Sequence, residues 1–227
     1  MKTNVKTISW IHLSVFLGLS IALGANGQEK TTNYDLVSLQ QNNKLEVSNR
    51  QVSTFSESDI SGIRFSKNEG DGIAWIKGLE FSNGTIELDI RGKDVIQQSF
   101  VGVAFHGIDH KTHDVVYFRP FNFQSDDPVR KIHSVQYVSH PENTWNVLRE
   151  KHNGKFEKAV NPAPGASDWF HVKIVVHYPH VMAYVNGNEE PSLSIEKLND
   201  RKTGSLGLWV GNNSDGDFAN LQIIHEH

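Results

Sequence analysis

Along most of this chain apolar residues alternate with polar ones instead of recurring at helical spacing. Gly84 to Arg91, GTIELDIR, is the plainest case: Ile86, Leu88 and Ile90 fall at every second position against Glu87, Asp89 and Arg91. That period marks a strand that is buried on one face and wet on the other. Shorter stretches of the same character are Lys44 to Val47, Gln51 to Phe55, Gly62 to Phe65, Gly72 to Ile76 and Phe100 to His106. Further along come Val115 to Phe121, Ile132 to Val138, Trp169 to Tyr178, Val181 to Val185, Leu193 to Ile195, Ser205 to Gly211 and Phe218 to His225. Loops rich in Ser, Asn, Asp and Gly punctuate them, such as Ser56 to Ser61, Lys67 to Gly72 and Phe81-Ser-Asn-Gly84.

One segment departs from the alternation. Ser139-His-Pro-Glu142 has the form of a helix cap with an acidic residue three positions on, which predicts a helix over about 140–151. Trp145, Leu148 and His152 share one stripe of it, so Trp145 is expected to pack down while Arg149 and Glu150 stay at the rim. Asn153 to Ser167 follows as a long loop containing Pro and Gly. Many short strands with one helix predict an all-β fold, a two-sheet antiparallel jelly-roll sandwich with one short helix near 140–151.

The alternation also sorts side chains by face. Val101, Val103 and Phe105 point to the core, leaving Gly102, Ala104 and His106 outside. In Asp114 to Phe123, DVVYFRPFNF, Val116 and Phe118 go in while Tyr117, Arg119 and Phe121 go out, and Pro120 closes the strand. Val135 and Tyr137 go in and leave Ser134 and Gln136; Leu206, Leu208 and Val210 go in and leave Gly207 and Trp209. The outward set is therefore Gly102, Ala104 and Gly207, which make room, with Tyr117, Arg119, Gln136, His106 and Trp209 to line it. Hydrogen-bonding groups beside aromatic faces suit a sugar, which presents hydroxyls at its edge and C–H bonds on its face.

The ends and the composition narrow the classes. Of 227 residues, 1–27 read as a cleaved secretory leader: Lys2 and Lys6, an apolar run from Leu13 to Leu23, then Ala25 and Gly27. Residues 28–33 are polar and are expected to form a flexible tail, leaving one domain over 34–227. The expected location is secreted or periplasmic, with no membrane attachment once the leader is gone. There is no cysteine, which removes disulfides, thiolate metal sites and cysteine nucleophiles. A net charge of -4 leaves no basic footprint for nucleic acid. A monomer is expected.

Several side chains are candidates for chemistry. Glu87 and Asp89, two apart on a strand, have the separation of a glycosidase carboxylate pair, although such pairs are also ordinary on a solvated strand face. His106 and His140 are candidates for proton transfer. His110 and His113 with Asp109 and Asp114 form a loop cluster of metal-ligand types that fits no specific template. Asn212-Asn-Ser-Asp-Gly-Asp217 is oxygen-rich, so Asn213, Asp215 and Asp217 are candidate ligands for calcium, or simply a turn.

Phe100 to Phe123 with VYFRPFNF, VQYVSHPENTW at Val135 to Trp145, DWFHVKIVV at Asp168 to Val176, and GLWVGNNSDGDFANLQI at Gly207 to Ile223 resemble exported concanavalin A-like sandwich domains of polysaccharide-degrading, Bacteroidetes-like bacteria. Within that group they resemble the laminin G-like domains and the 3-keto-disaccharide hydrolase domain family. The resemblance implies a carbohydrate-active protein with its site on the concave sheet face. It matches Arg119 and Gln136 to the polar centre, and Trp209, Asn212, Asn213 and Asp217 to the end strand and rim. Substrate contacts are thus expected from Tyr117, Arg119, Gln136, Arg149, Trp209, Asn212 and Asn213. The expected function is glycoside hydrolysis or a related reaction, or else lectin-like glycan binding without chemistry.

Overall fold

A computed structural model describes Met1 and residues 30–226; the expected leader lies outside the described residues. The chain forms β1 (Lys30–Tyr34), α1 (Leu36–Gln41), β2 (Leu45–Ser48), β3 (Val52–Glu57), β4 (Ile60–Phe65), β5 (Gly72–Phe81), β6 (Gly84–Arg91), β7 (Val101–Gly107) and β8 (Asp114–Phe118). It continues with α2 (Pro128–Lys131), β9 (Val135–Ser139), α3 (Trp145–Lys151), β10 (Glu157–Lys158), β11 (Trp169–His177), β12 (His180–Val185), β13 (Leu193–Glu196), β14 (Gly204–Val210) and β15 (Gly216–His225). Two antiparallel sheets result. One runs β13-β12-β11-β6-β15-β4-β3 with β1 added on β15; the other runs β10-β9-β8-β7-β14-β5-β2.

The alternation read from the sequence builds the interior. Ile86, Leu88 and Ile90 of β6 and Val172, Ile174 and Val176 of β11 lie fully buried beneath the first sheet. Val101, Val103 and Phe105 of β7, Val116 and Phe118 of β8, and Leu206, Leu208 and Val210 of β14 lie buried beneath the second. Phe118 meets Phe170 of the opposite sheet edge to face, with ring centres 5.4 Å apart. Each such side chain contributes about 1.5–3 kcal/mol of hydrophobic stabilisation, which replaces the disulfides this chain lacks.

Several elements differ from expectation: α1 and α2 are helices beyond the single one expected, each begun by an Asp cap, Asp35 and Asp127, in a segment too short to show a helical period. Lys30–Tyr34 is a strand paired along β15 from Lys30↔His225 to Tyr34↔Leu221, where a tail was expected, because β15 offers a free edge there. The helix spans Trp145–Lys151, not 140–151. Ser139 does not cap it: its N–H donates to the Asn143 carbonyl at 3.0 Å and its carbonyl accepts from the Asn143 N–H at 2.8 Å. Residues 140–143 therefore make a turn that closes β9, and the helix begins after Thr144.

Candidate functional site

Register places one residue from each of five strands in a row across the second sheet. Glu157 of β10 faces Gln136 of β9, Gln136 faces Tyr117 of β8, Tyr117 faces Gly102 of β7, and Gly102 faces Trp209 of β14. Residues opposite one another across a ladder share a face, so this row forms the floor of the sheet's outer side. Gly102 decides its shape. A Cβ there would lie 2.2 Å from the Val116 carbonyl oxygen and 2.7 Å from the Tyr117 Cβ. Without one, the Tyr117 and Trp209 rings lean together over the gap, with centres 5.1 Å apart.

Polar groups lock this row. The Tyr117 hydroxyl donates to Gln136 Oε1 at 2.7 Å. Arg119 Nη2 donates to the Tyr117 hydroxyl at 2.5 Å and also to Gln136 Oε1. Arg119 Nη1 donates to the His133 carbonyl at 3.0 Å and stands 3.5 Å from Glu157 Oε2. Glu157, 2% exposed, is gripped from the other side by Arg149, whose Nε and Nη2 donate to its two oxygens at 3.0 and 2.8 Å. His133 Nδ1 lies 2.7 Å from Glu157 Oε2. Burial alone would raise the Glu157 pKa, but hydrogen bonds and charge from Arg149, with Arg119 and His133, outweigh it and hold the pKa below the ordinary value. Burial dominates at Tyr117 and pushes its hydroxyl up to about 12, so it stays a neutral donor.

A cavity of about 490 Å³ opens above this floor. Tyr117, Trp209, Phe100 and Phe121 line its base; Arg119, Arg130, Arg149 and His133 line one wall. Asp71, His140 and Asn212 line another part of the same cavity. His140 Nε2 stands 3.9 Å from Asp71 Oδ2, and its ring packs on His113 with centres 5.0 Å apart. The His140 backbone N–H donates to the His113 carbonyl at 2.8 Å, which fixes the turn that carries it. Burial lowers the His140 pKa, only partly opposed by Asp71, and burial raises the pKa of Asp71. The loop bearing Asp71 is braced: Asn49 Nδ2 donates to the Glu69 and Asp71 carbonyls, Arg50 Nη2 to those of Gly70 and Gly211, and Asn212 Oδ1 accepts from the Gly70 N–H at 2.7 Å.

The residues expected from the sequence divide into two groups. Tyr117, Arg119, Arg149, Trp209, Asn212 and His140 share the cavity, with Gln136 directly beneath it. Glu87 and Asp89 do not. They lie on the outer side of the first sheet, where His171 Nδ1 sits 2.9 Å from Asp89 Oδ1 and its Nε2 3.8 Å from Glu87 Oε2. Alternation told which side of its own sheet each carboxylate takes; it could not tell which of the two sheets β6 joins. His106 is also elsewhere. Its φ of 49° and a bulge in β7, opposite Ser205 to Gly207 of β14, break the alternation. The ring turns into the interior, meets Lys197 Nζ and sits 2.7 Å from the Ser82 carbonyl. Burial and the Lys197 charge lower its pKa to about 4.

The calcium expectation finds a poor donor set. Both Asp217 oxygens are taken by Arg64 and Arg91, and Asp215 pairs with Lys93. Asn213 sits in a turn with its N–H on the Asn68 carbonyl at 2.9 Å, and it does not line the cavity. Among the described residues no group of three acidic, His or Cys side chains is placed to hold a metal ion, the Asp109–Asp114 loop included.

Sequence reasoning missed Glu157, Asp71, Asn122 and Arg130, which sit on loops, a helical turn or a two-residue strand with no period of two to reveal them, and Phe100 and His133, which lie just ahead of β7 and β9 at the ends of expected strands. It also expected Trp145 to be buried. The ring is 53% exposed and lines the cavity, because Leu148 alone (1% exposed) supplies the buried contact of so short a helix.

Comparison with known proteins agrees with this architecture. A family model described as the 3-keto-alpha-glucoside-1,2-lyase-like domain matches residues 26–224. No curated protein matches the chain. Among solved structures, a carbohydrate-binding module of Bacillus subtilis is similar with a TM-score of 0.55 and 16% identity, over 79% of this chain and 94% of its own. A B. subtilis protein of unknown function with a galectin-like fold is similar with a TM-score of 0.56 and 13% identity, over 87% and 98%. A native glycosidic hydrolase is similar with a TM-score of 0.53 and 12% identity, over 86% and 94%. At these identities the structures share the fold alone, a sandwich used both for carbohydrate binding and for glycoside cleavage.

Proposed function

From the premise that this chain belongs to the 3-keto-alpha-glucoside-1,2-lyase-like family, we propose that its cleft takes a 3-keto-glucoside and opens the anomeric bond by proton abstraction, with His140 as the base and Asp71 beside it. One observation carries this reading: an imidazole and a carboxylate stand together in a cavity that three arginines also line.

The chemistry follows from the ketone. A carbonyl at C3 acidifies the hydrogen on C2, because the charge left behind spreads onto the carbonyl oxygen. As the base takes that proton, the C–H electron pair forms the C1–C2 double bond, and the C1–O pair leaves with the departing oxygen. That oxygen collects a proton and departs as an alcohol, with no net oxidation. His140 suits the first step, since its lowered pKa keeps it neutral at pH 7. Arg119, Arg130 and Arg149 suit the developing negative charge, and the Tyr117 and Trp209 rings suit the C–H face of a pyranose. Hydrolysis by the usual pair of carboxylates fits less well. Asp71 is the one carboxylate among the described residues lining the cavity, and Glu157 beneath it is held by Arg149.

The test is turnover of a synthetic 3-keto-α-glucoside, followed by loss of substrate and by release of deuterium from C2. His140→Ala should lower kcat by about 10²–10⁴ while calorimetry still detects binding. Unchanged turnover in His140→Ala, or an inert wild-type protein, overturns the proposal. A glycan-binding module without chemistry is the second reading, favoured by the internal satisfaction of Arg119, Tyr117 and Gln136. It predicts saturable binding of the same sugar and no product.

A further inference from the structure

Most of the exposed large apolar residues among the described ones stand on three connections that line the cavity. Apart from Met1 and Ile108, the large apolar side chains left in water among the described residues are Val95, Ile96, Val129, Ile132 and Trp145. They come from three connections: the loop between β6 and β7, α2 with the residue after it, and α3. Each connection also lines the cavity, through Ile96, Arg130 and Trp145 respectively. Single exposed aliphatics are ordinary on a protein surface; here two of the five, Ile96 and Trp145, line one cavity, and the other three stand on the same connections. The Trp145 ring is held in place, because the Arg149 guanidinium lies 5.3 Å over it and is itself clamped by Glu157.

Floor and mouth therefore differ in chemistry. The floor has hydrogen-bonding groups and flat rings for a sugar. The mouth has Ile96, 58% exposed, and Trp145, 53% exposed, on the wall. A hydroxyl-rich group pressed against Ile96 would give up water without gaining a partner. An aromatic or aliphatic group would gain by leaving water. We infer that the mouth is a leaving-group site that selects a glucoside with an apolar, aromatic aglycone over one carrying a second sugar. This rests on the reading of the cleft as a 3-keto-glucoside site, and it makes Ile96 and Trp145 its specificity determinants.

The experiment compares kcat/KM for a phenyl 3-keto-α-glucoside with that for a 3-keto-glucosyl-glucose disaccharide. Wild type should favour the phenyl substrate on the order of tenfold or more, the discrimination open to an apolar pocket. Ile96→Asp and Trp145→Ala should each bring the ratio toward one; both positions are exposed, and a thermal melt checks that the variants fold. Equal use of both substrates by wild type, or a ratio unmoved in both variants, overturns the inference and leaves the reading of the cleft standing. Failure to turn over or bind either substrate overturns that reading and the inference with it. A ratio unmoved while the variants lose self-association by light scattering, or lose binding to phosphatidylglycerol vesicles, would assign the patch to a second copy or a lipid surface and also overturn it.

Discussion

Glu157 is the side chain on which the wall of the cleft depends. Its two oxygens answer Arg149 in a bidentate pair, and Arg119 and His133 approach the second oxygen. Removing one partner of a buried ionic group leaves the others uncompensated, which is why such losses are large. Glu157→Gln should lower stability by about 3 kcal/mol in urea unfolding and loosen Arg149 at the mouth; an unchanged midpoint and slope would show the clamp to be dispensable. His140 makes the second prediction at this scale. Burial holds its pKa below 6.5 and so favours the base form. Turnover should stay level through neutral pH and fall only on an acid limb whose inflection lies below that value. An inflection at or above 6.5, followed by kcat across a pH series, would remove His140 as the base.

β7 is the element that sets the shape of the cleft. Gly102 lets it pass close under Tyr117, and Ala104 two residues on keeps the same face low. Gly102→Ala would push a methyl group to within 2.6 Å of the Tyr117 Cα. Overpacking of this kind costs about 1–3 kcal/mol, and here it would also part the Tyr117 and Trp209 rings. The expected result is a lower melting temperature together with weakened sugar binding; a variant that melts and binds like wild type would show that the floor has slack. The same strand shows where alternation stops being a guide. Its first five residues keep perfect period, then the bulge opposite Ser205 and Gly207 turns His106 inward.

The molecule as a whole carries an acid-sensitive interior. His106 and His113 are buried, and burial lowers each to about 4 from the ordinary 6.5. Both His113 nitrogens lack hydrogen-bond partners among the described residues. The unfolded chain takes up these protons near pH 6.5, whereas the folded chain resists them until about 4. Stability from this source is therefore complete above pH 6.5 and declines as pH falls toward 4, by about 1.4 kcal/mol per pH unit for each histidine. His113→Phe keeps the packing against Trp75 and removes one titration, so its melting temperature should fall less between pH 6.5 and 4.5 than that of wild type. Parallel curves would place the acid sensitivity elsewhere.

The order of residues alone determined that this is a β-sandwich, which strand residues face its core, and that Tyr117, Arg119, Gln136 and Trp209 each turn away from it. Those facts follow from a period of two, which is local. Tertiary structure decided the rest. A sandwich has two outer faces, and alternation cannot say which one a strand joins, so Glu87 and Asp89 looked like neighbours of Arg119 until register placed them across the molecule. Glu157 and Asp71 belong to segments without a period and His133 to the turn ahead of β9, and only chain crossings bring them to the cleft, because a contact between distant residues is set by how the sheets stack and not by spacing along the chain.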